Sequence, residues 1–131
     1  MTEERTMKNR LALVFALVVG LSVSAPLFAH HGGATMYDSR TVTLKGTVDT
    51  WYWANPHCLL KFNVKGDDGQ VVPWIVETQA PNTIYPHGFR KDSFKPGDVV
   101  TITLRPTKNG KPNGALLRAV LPDGTELVWE R

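Results

Sequence analysis

The sequence predicts an all-β domain behind an export leader, and three observations carry that expectation. Apolar and polar residues alternate in five to six segments between Thr41 and Trp129. Clusters of glycine, proline, aspartate and asparagine separate those segments. One short proline-bounded stretch with helical character stands between the third and fourth of them.

Residues 1–29 read as a secretory signal peptide rather than as part of the fold. Lys8 and Arg10 precede an apolar run from Leu11 to Val23, followed by Ser24-Ala25-Pro26-Leu27-Phe28-Ala29. A small residue at the scissile position favours cleavage after Ala29. The apolar run falls short of the roughly 20 residues a spanning helix needs, so no stable membrane anchor is expected after cleavage. Removing 29 of 131 residues leaves 102, enough for one domain with a modest core. The leader carries a net +1, from Glu3, Glu4, Arg5, Lys8 and Arg10, so the remaining chain falls from +3 to +2. That charge, with export, argues against a nucleic-acid partner. Cys58 is the only cysteine, which excludes an internal disulfide in a compartment that would permit one. The expected location is periplasmic or secreted.

In chain order, residues 30–40 read as a flexible N-terminal arm containing Gly32-Gly33, and residues 41–131 as the barrel domain. Val42, Leu44, Gly46 and Val48 alternate with Thr41, Thr43, Lys45 and Thr47 in a first strand. The apolar parity then slips, since Trp51 and Trp53 are odd-numbered. A bulge near Asp49 and Thr50 reconciles the two halves, with Gly46 as a second candidate for the bend. Asn55-Pro56 breaks the strand at a corner, because proline has no N–H for a ladder and restricts the residue before it. A second strand runs from His57 to Lys65, with Cys58, Leu60, Phe62 and Val64 on the core face and His57, Lys61, Asn63 and Lys65 opposite.

Gly66-Asp67-Asp68-Gly69 makes a hairpin turn into a third strand, Val71 to Thr78, with Val72, Trp74 and Val76 on one side and Glu77 on the other. Ala80 to Phe89 is a short helix or irregular connection, with Pro81 suited to a first helical turn. Lys95-Pro96-Gly97-Asp98 turns into a fourth strand carrying Val100, Ile102 and Leu104. After the loop Asn109 to Gly114, Leu117, Ala119 and Leu121 are expected on one face of a fifth strand. Leu127 and Trp129 belong to a last short one. Three strands, a helix, then two or three strands is the order of a small OB-like barrel of five to six strands.

Several of these motifs together resemble those of a family of small exported bacterial proteins catalogued as a domain of unknown function. They are His30-His31 after the leader, Thr43-Leu44-Lys45-Gly46-Thr47-Val48, Trp53-Ala54-Asn55-Pro56-His57, Trp74 with Glu77, Ala80-Pro81-Asn82, and Lys95-Pro96-Gly97-Asp98-Val99-Val100. The resemblance covers nearly the whole chain after the leader and implies an OB-like exported domain without an assigned activity. Cys58, His87 and Gly32 depart from the pattern, so no family role is carried onto them.

Cleavage after Ala29 would free an α-amine on His30, beside a second imidazole on His31. An amine with a pKa near about 8 binds copper well once deprotonated. His57 supplies a further imidazole if the arm folds back over the Asn-Pro corner. Nitrogen-rich tetragonal sites suit Cu(II) best, with zinc second. His30, His31 and His57 are therefore the candidate metal ligands, and Asn55, Glu77 and Asp38 are candidates to orient them. Cys58 faces the core and is not expected to join them; His87 is expected to be a loop residue.

The main expectation is thus an exported copper-binding module for storage, delivery or sensing. The alternative is a metal-free OB-like domain that binds a periplasmic protein or glycan. Trp51, Trp53 and Trp74 would serve the latter as a stacking platform, although inward-facing positions of a small barrel favour a core role. The sequence leans away from an enzyme, with no catalytic residues assigned: Ser93 lacks a nucleophile motif, and no two carboxylates sit at an obvious catalytic spacing.

Overall fold

The computed structural model describes residues 36–129. The strands are β1 (Val42–Tyr52), β2 (Leu59–Lys65), β3 (Val71–Glu77), β4 (Val99–Pro106), β5 (Asn113–Val120) and β6 (Glu126–Val128). Between β3 and β4 lie a single-turn helix, α1 (Pro81–Ile84), and a 3-10 turn over Tyr85–His87. The strand order is β3-β2-β1-β4-β5-β6, and a parallel pairing of β3 with β5 closes the first five strands into a barrel. This is the all-β barrel with one short helix between strands three and four that the sequence predicts, with β6 added beside β5. Among the described residues no helix is long and apolar enough to cross a membrane.

β1 serves both halves of the barrel. Val42 to Thr47 pair with β4, and Thr47 to Tyr52 pair with β2. The β1–β2 register shifts between Val48 and Thr50, where the parity slip predicts a bulge. The Lys95–Asp98 turn docks on that bend: Val48 N–H donates to the Asp98 carbonyl at 2.8 Å, and Gly97 N–H donates to the Val48 carbonyl at 2.9 Å. Gly46 has a packing role. A Cβ there would stand 2.6 Å from the Asn63 carbonyl oxygen and 2.7 Å from Cδ2 of Phe62, so the missing side chain admits the Phe62 ring.

The core gathers Val48, Cys58, Leu60, Phe62, Val76, Val100, Ile102, Leu104, Leu116 and Ala119 from the strands. Ile84 and Phe89, from α1 and the segment after it, are fully buried and belong to the same cluster. Complete burial of a side chain such as Phe62 contributes about 1.5–3 kcal/mol. Trp51, Trp53 and Trp74 are half-buried against this core. Trp51 packs edge-on to Phe94, with ring centroids 4.9 Å apart, and its indole N–H donates to the Arg90 carbonyl. The core role expected for these indoles fits their packing.

The fifth strand differs from expectation. Leu116 and Ala119 are buried, whereas Leu117 is only half-buried, and the β4–β5 register shifts between Thr103 and Leu104. Leu117 is the extra residue of a second bulge, which breaks the simple alternation that would have grouped it with Ala119 and Leu121. The strand also begins earlier, taking in Gly114 from the expected loop. A Cβ on Gly114 would stand 2.5 Å from Cδ1 of Leu104 and 2.6 Å from the Arg105 carbonyl oxygen. That glycine lets β4 approach at the position where β5 also meets β3.

Gly46→Ala is expected to destabilise the fold by about 1–3 kcal/mol, as overpacking does in a close-packed interior. The urea midpoint measures it; an unchanged midpoint would mean that Phe62 can move aside freely.

Candidate functional site

The corner between β1 and β2 is built by Ala54-Asn55-Pro56-His57, and the Asn55–Pro56 peptide is cis. Beyond it the β2–β3 ladder extends past its regular end. Thr78 N–H donates to the Cys58 carbonyl at 3.0 Å, and Cys58 N–H donates to the Gln79 carbonyl at 3.2 Å. Leu59 pairs with Glu77 in the same ladder, which makes Glu77 a diagonal neighbour of His57 on the outer face. His57 Nδ1 lies 3.6 Å from Glu77 Oε2. With 47% and 36% of the two side chains exposed, the contact contributes at most about 1 kcal/mol. Its chemical effect is directional: an imidazole whose Nδ1 faces a carboxylate keeps Nε2 for a ligand.

The other carboxylate oxygen of Glu77 accepts a hydrogen bond from the Tyr37 hydroxyl. Tyr37 belongs to the arm as defined from the sequence, and its backbone is bridged to Thr107 just beyond β4. Two further hydrogen bonds fix the same root: Asp38 N–H to the Pro106 carbonyl at 2.8 Å, and Lys108 N–H to the Met36 carbonyl at 3.0 Å. Burial first, and then Glu77 as hydrogen-bond partner and neighbouring charge, push the Tyr37 phenol well above its usual range. Tyr37 therefore stays a hydroxyl donor near neutral pH. Its part in holding the arm was not legible in the sequence, where it follows Met36 in a stretch without periodicity.

Of the other expected site residues, His30 and His31 lie outside the described residues. Asn55 is exposed at the corner. Asp38 is engaged locally instead. Its carboxylate accepts from the Arg40 guanidinium at 2.8 and 3.1 Å and from the Arg40 backbone N–H at 3.0 Å. These contacts lower its pKa to about 2. Cys58 is fully buried, and its thiol donates weakly to the Ala54 carbonyl at 3.8 Å. Burial pushes that thiol up, in keeping with its core-facing parity. His87 is exposed and packs edge-on against Trp129, with ring centroids 4.7 Å apart. Among the described residues no three His, Cys, Asp or Glu side chains converge as a ready metal cage.

Beside Tyr37 and Glu77 opens a cleft of about 650 Å³. Its walls come from the arm root, the end of β3, the end of β4 with Arg105 and Lys108, the start of β5, and Trp129 after β6. The sequence reading did not anticipate this cleft, because its lining residues are far apart in the chain and come together only through barrel closure.

Two solution measurements check this description. Native Cys58 is expected to resist alkylation by iodoacetamide at neutral pH and to react once urea unfolds the chain; mass spectrometry reads the difference. The Asp38 carboxyl is expected to titrate near its lowered value of about 2 by carbon-13 NMR, and to rise toward about 4 in Arg40→Gln. The sign follows from a depressed folded-state pKa: the pair favours the fold above the free carboxyl value, and that preference disappears as pH falls through the folded one.

No curated protein and no solved structure matches this chain. A family model described as a family of unknown function (DUF6152) matches residues 18–119. The chain belongs to that family.

Proposed function

We propose that this protein is an exported copper-binding module in which His30, His31 and His57 hold Cu(II) for storage, delivery or sensing. The observation that carries this reading is the shared carboxylate: Glu77 accepts from Tyr37 at the arm root and faces His57 at the corner. Five residues stand between His31 and Tyr37, and a chain of those six steps spans at most about 20 Å. The leading histidines are thus tethered within reach of His57 Nε2. Glu77 on Nδ1 resembles the carboxylate partner that orients many metal-bound imidazoles and raises their basicity. The processed amine, two arm imidazoles and His57 make a nitrogen donor set, which copper prefers over zinc.

The test is a Cu(II) titration followed by calorimetry and electron paramagnetic resonance. The processed protein is expected to show a nitrogen-rich tetragonal spectrum, and one extra residue before His30 should weaken binding strongly. His57→Asn should remove one nitrogen from the spectrum. Glu77→Gln, which keeps an acceptor for Tyr37, is expected to weaken binding by about 10–100-fold, as loss of an orienting carboxylate does. Equal affinity with and without the extra residue would remove the amine from the site. An unchanged spectrum in His57→Asn would remove the corner.

A further inference from the structure

The cleft beside the arm root has a chemistry of its own, and none of the residues that would hold its ligand is a proposed metal ligand. Four arginines fall within the described residues, and three have partners. Arg40 pairs with Asp38, Arg118 reaches Glu126 at 3.5 Å, and Arg90 donates to the Tyr85 and Phe89 carbonyls while lying 3.8 Å over the Tyr85 ring. Arg105 is the exception: among the described residues no carboxylate or carbonyl accepts from its guanidinium. It stands in the cleft wall. Both carboxylates in that wall are engaged elsewhere, Asp38 by Arg40 and Glu77 by Tyr37 and His57.

The remaining lining supplies an apolar bed and a buried hydroxyl without a partner. Ala115, Leu116 and Leu117 at the start of β5 and the Trp129 indole form the apolar part. Thr78 lines the same cleft, is 4% exposed, and its buried hydroxyl has no hydrogen-bond partner among the described residues. An unmade hydrogen bond of that kind costs about 1–3 kcal/mol. At about 650 Å³ the cleft falls within the size range of small-molecule sites, which combine an apolar lining with a few placed polar groups.

We propose that this cleft binds a small organic monocarboxylate with an apolar, ring-sized body. The Arg105 fork holds the carboxylate in its plane, and the body lies on Leu117 and Trp129. A planar guanidinium matches a carboxylate bidentately. Glu77 in the cleft wall disfavours a second anionic group beside it. A neutral sugar would find both carboxylate acceptors already taken.

The probe is 1-naphthylacetate, with 1-naphthylacetamide as its uncharged counterpart. Each is titrated to millimolar concentration into the nitrogen-15-labelled full chain, expressed with its own leader and isolated as processed. The acid is expected to shift the amides of Thr78, Ala115, Leu117 and Trp129 and to bind about tenfold more tightly than the amide, the increment of a charge-assisted hydrogen-bond pair. Arg105→Gln is expected to abolish that preference while leaving the circular dichroism spectrum unchanged. Arg105→Lys, with the charge but without the fork, should fall between the two. Equal binding of acid and amide, a preference that survives Arg105→Gln, or no binding of either probe overturns the proposal. So do shifts of these four amides that follow protein concentration and resist the probe, since they would make a second copy of the chain the occupant.

Discussion

β1 must hydrogen-bond to different neighbours along its two halves, and the bulge between Val48 and Thr50 is what lets one continuous segment do so. A straight strand of that length would carry its apolar parity unbroken and turn Trp51 and Trp53 away from the core. The bend instead brings Trp51 against Phe94 and seats the Lys95–Asp98 turn on Val48. It also delivers the chain to the Asn55–Pro56 corner beside the end of β3.

Glu77 is the point where barrel and arm meet. One carboxylate accepts from a phenol on one oxygen and faces an imidazole on the other. The His57 contact is worth little in its water-exposed surroundings, while the part-buried hydrogen bond from Tyr37 ties the same carboxylate to the arm root. The same carboxylate, tied to Tyr37, forms one wall of the cleft that holds Arg105. The corner that carries His57 and the cleft lined by Arg105 thus meet at one carboxylate.

Much of the barrel was legible because period-two alternation and turn residues agree along most of the chain. The Gly66–Gly69 turn illustrates this: Gln70 N–H donates to the Asp68 side chain, and Gly69 takes a φ of 80°. The resulting register pairs Lys65 with Val71 and, six rungs on, Leu59 with Glu77. Counting that register outward from the turn would have placed Glu77 diagonal to His57 without coordinates. Leu117 and Gly114 were misread for a physical reason. A bulge leaves no compositional mark when leucines stand on both sides of it. A glycine admitted by close strand approach, in turn, looks the same in sequence as one that serves a loop. Arg105 and Thr78 carry no local signal at all, since their importance arises from parallel closure of β3 on β5, a contact between segments some forty residues apart.

β5 offers one of its edges first to β3 and then to β6, and the Trp129 N–H returns to the Leu117 carbonyl at 2.6 Å. Tyr37 and Trp129, near the first and last of the described residues, consequently border the same hollow. A peptide appended after Arg131, two residues beyond Trp129, would be leashed there at the high local concentration that a short tether imposes. An affinity tag there, and a polyhistidine one above all, would compete from within the molecule for those surfaces, so a removable tag is the appropriate choice for this scaffold.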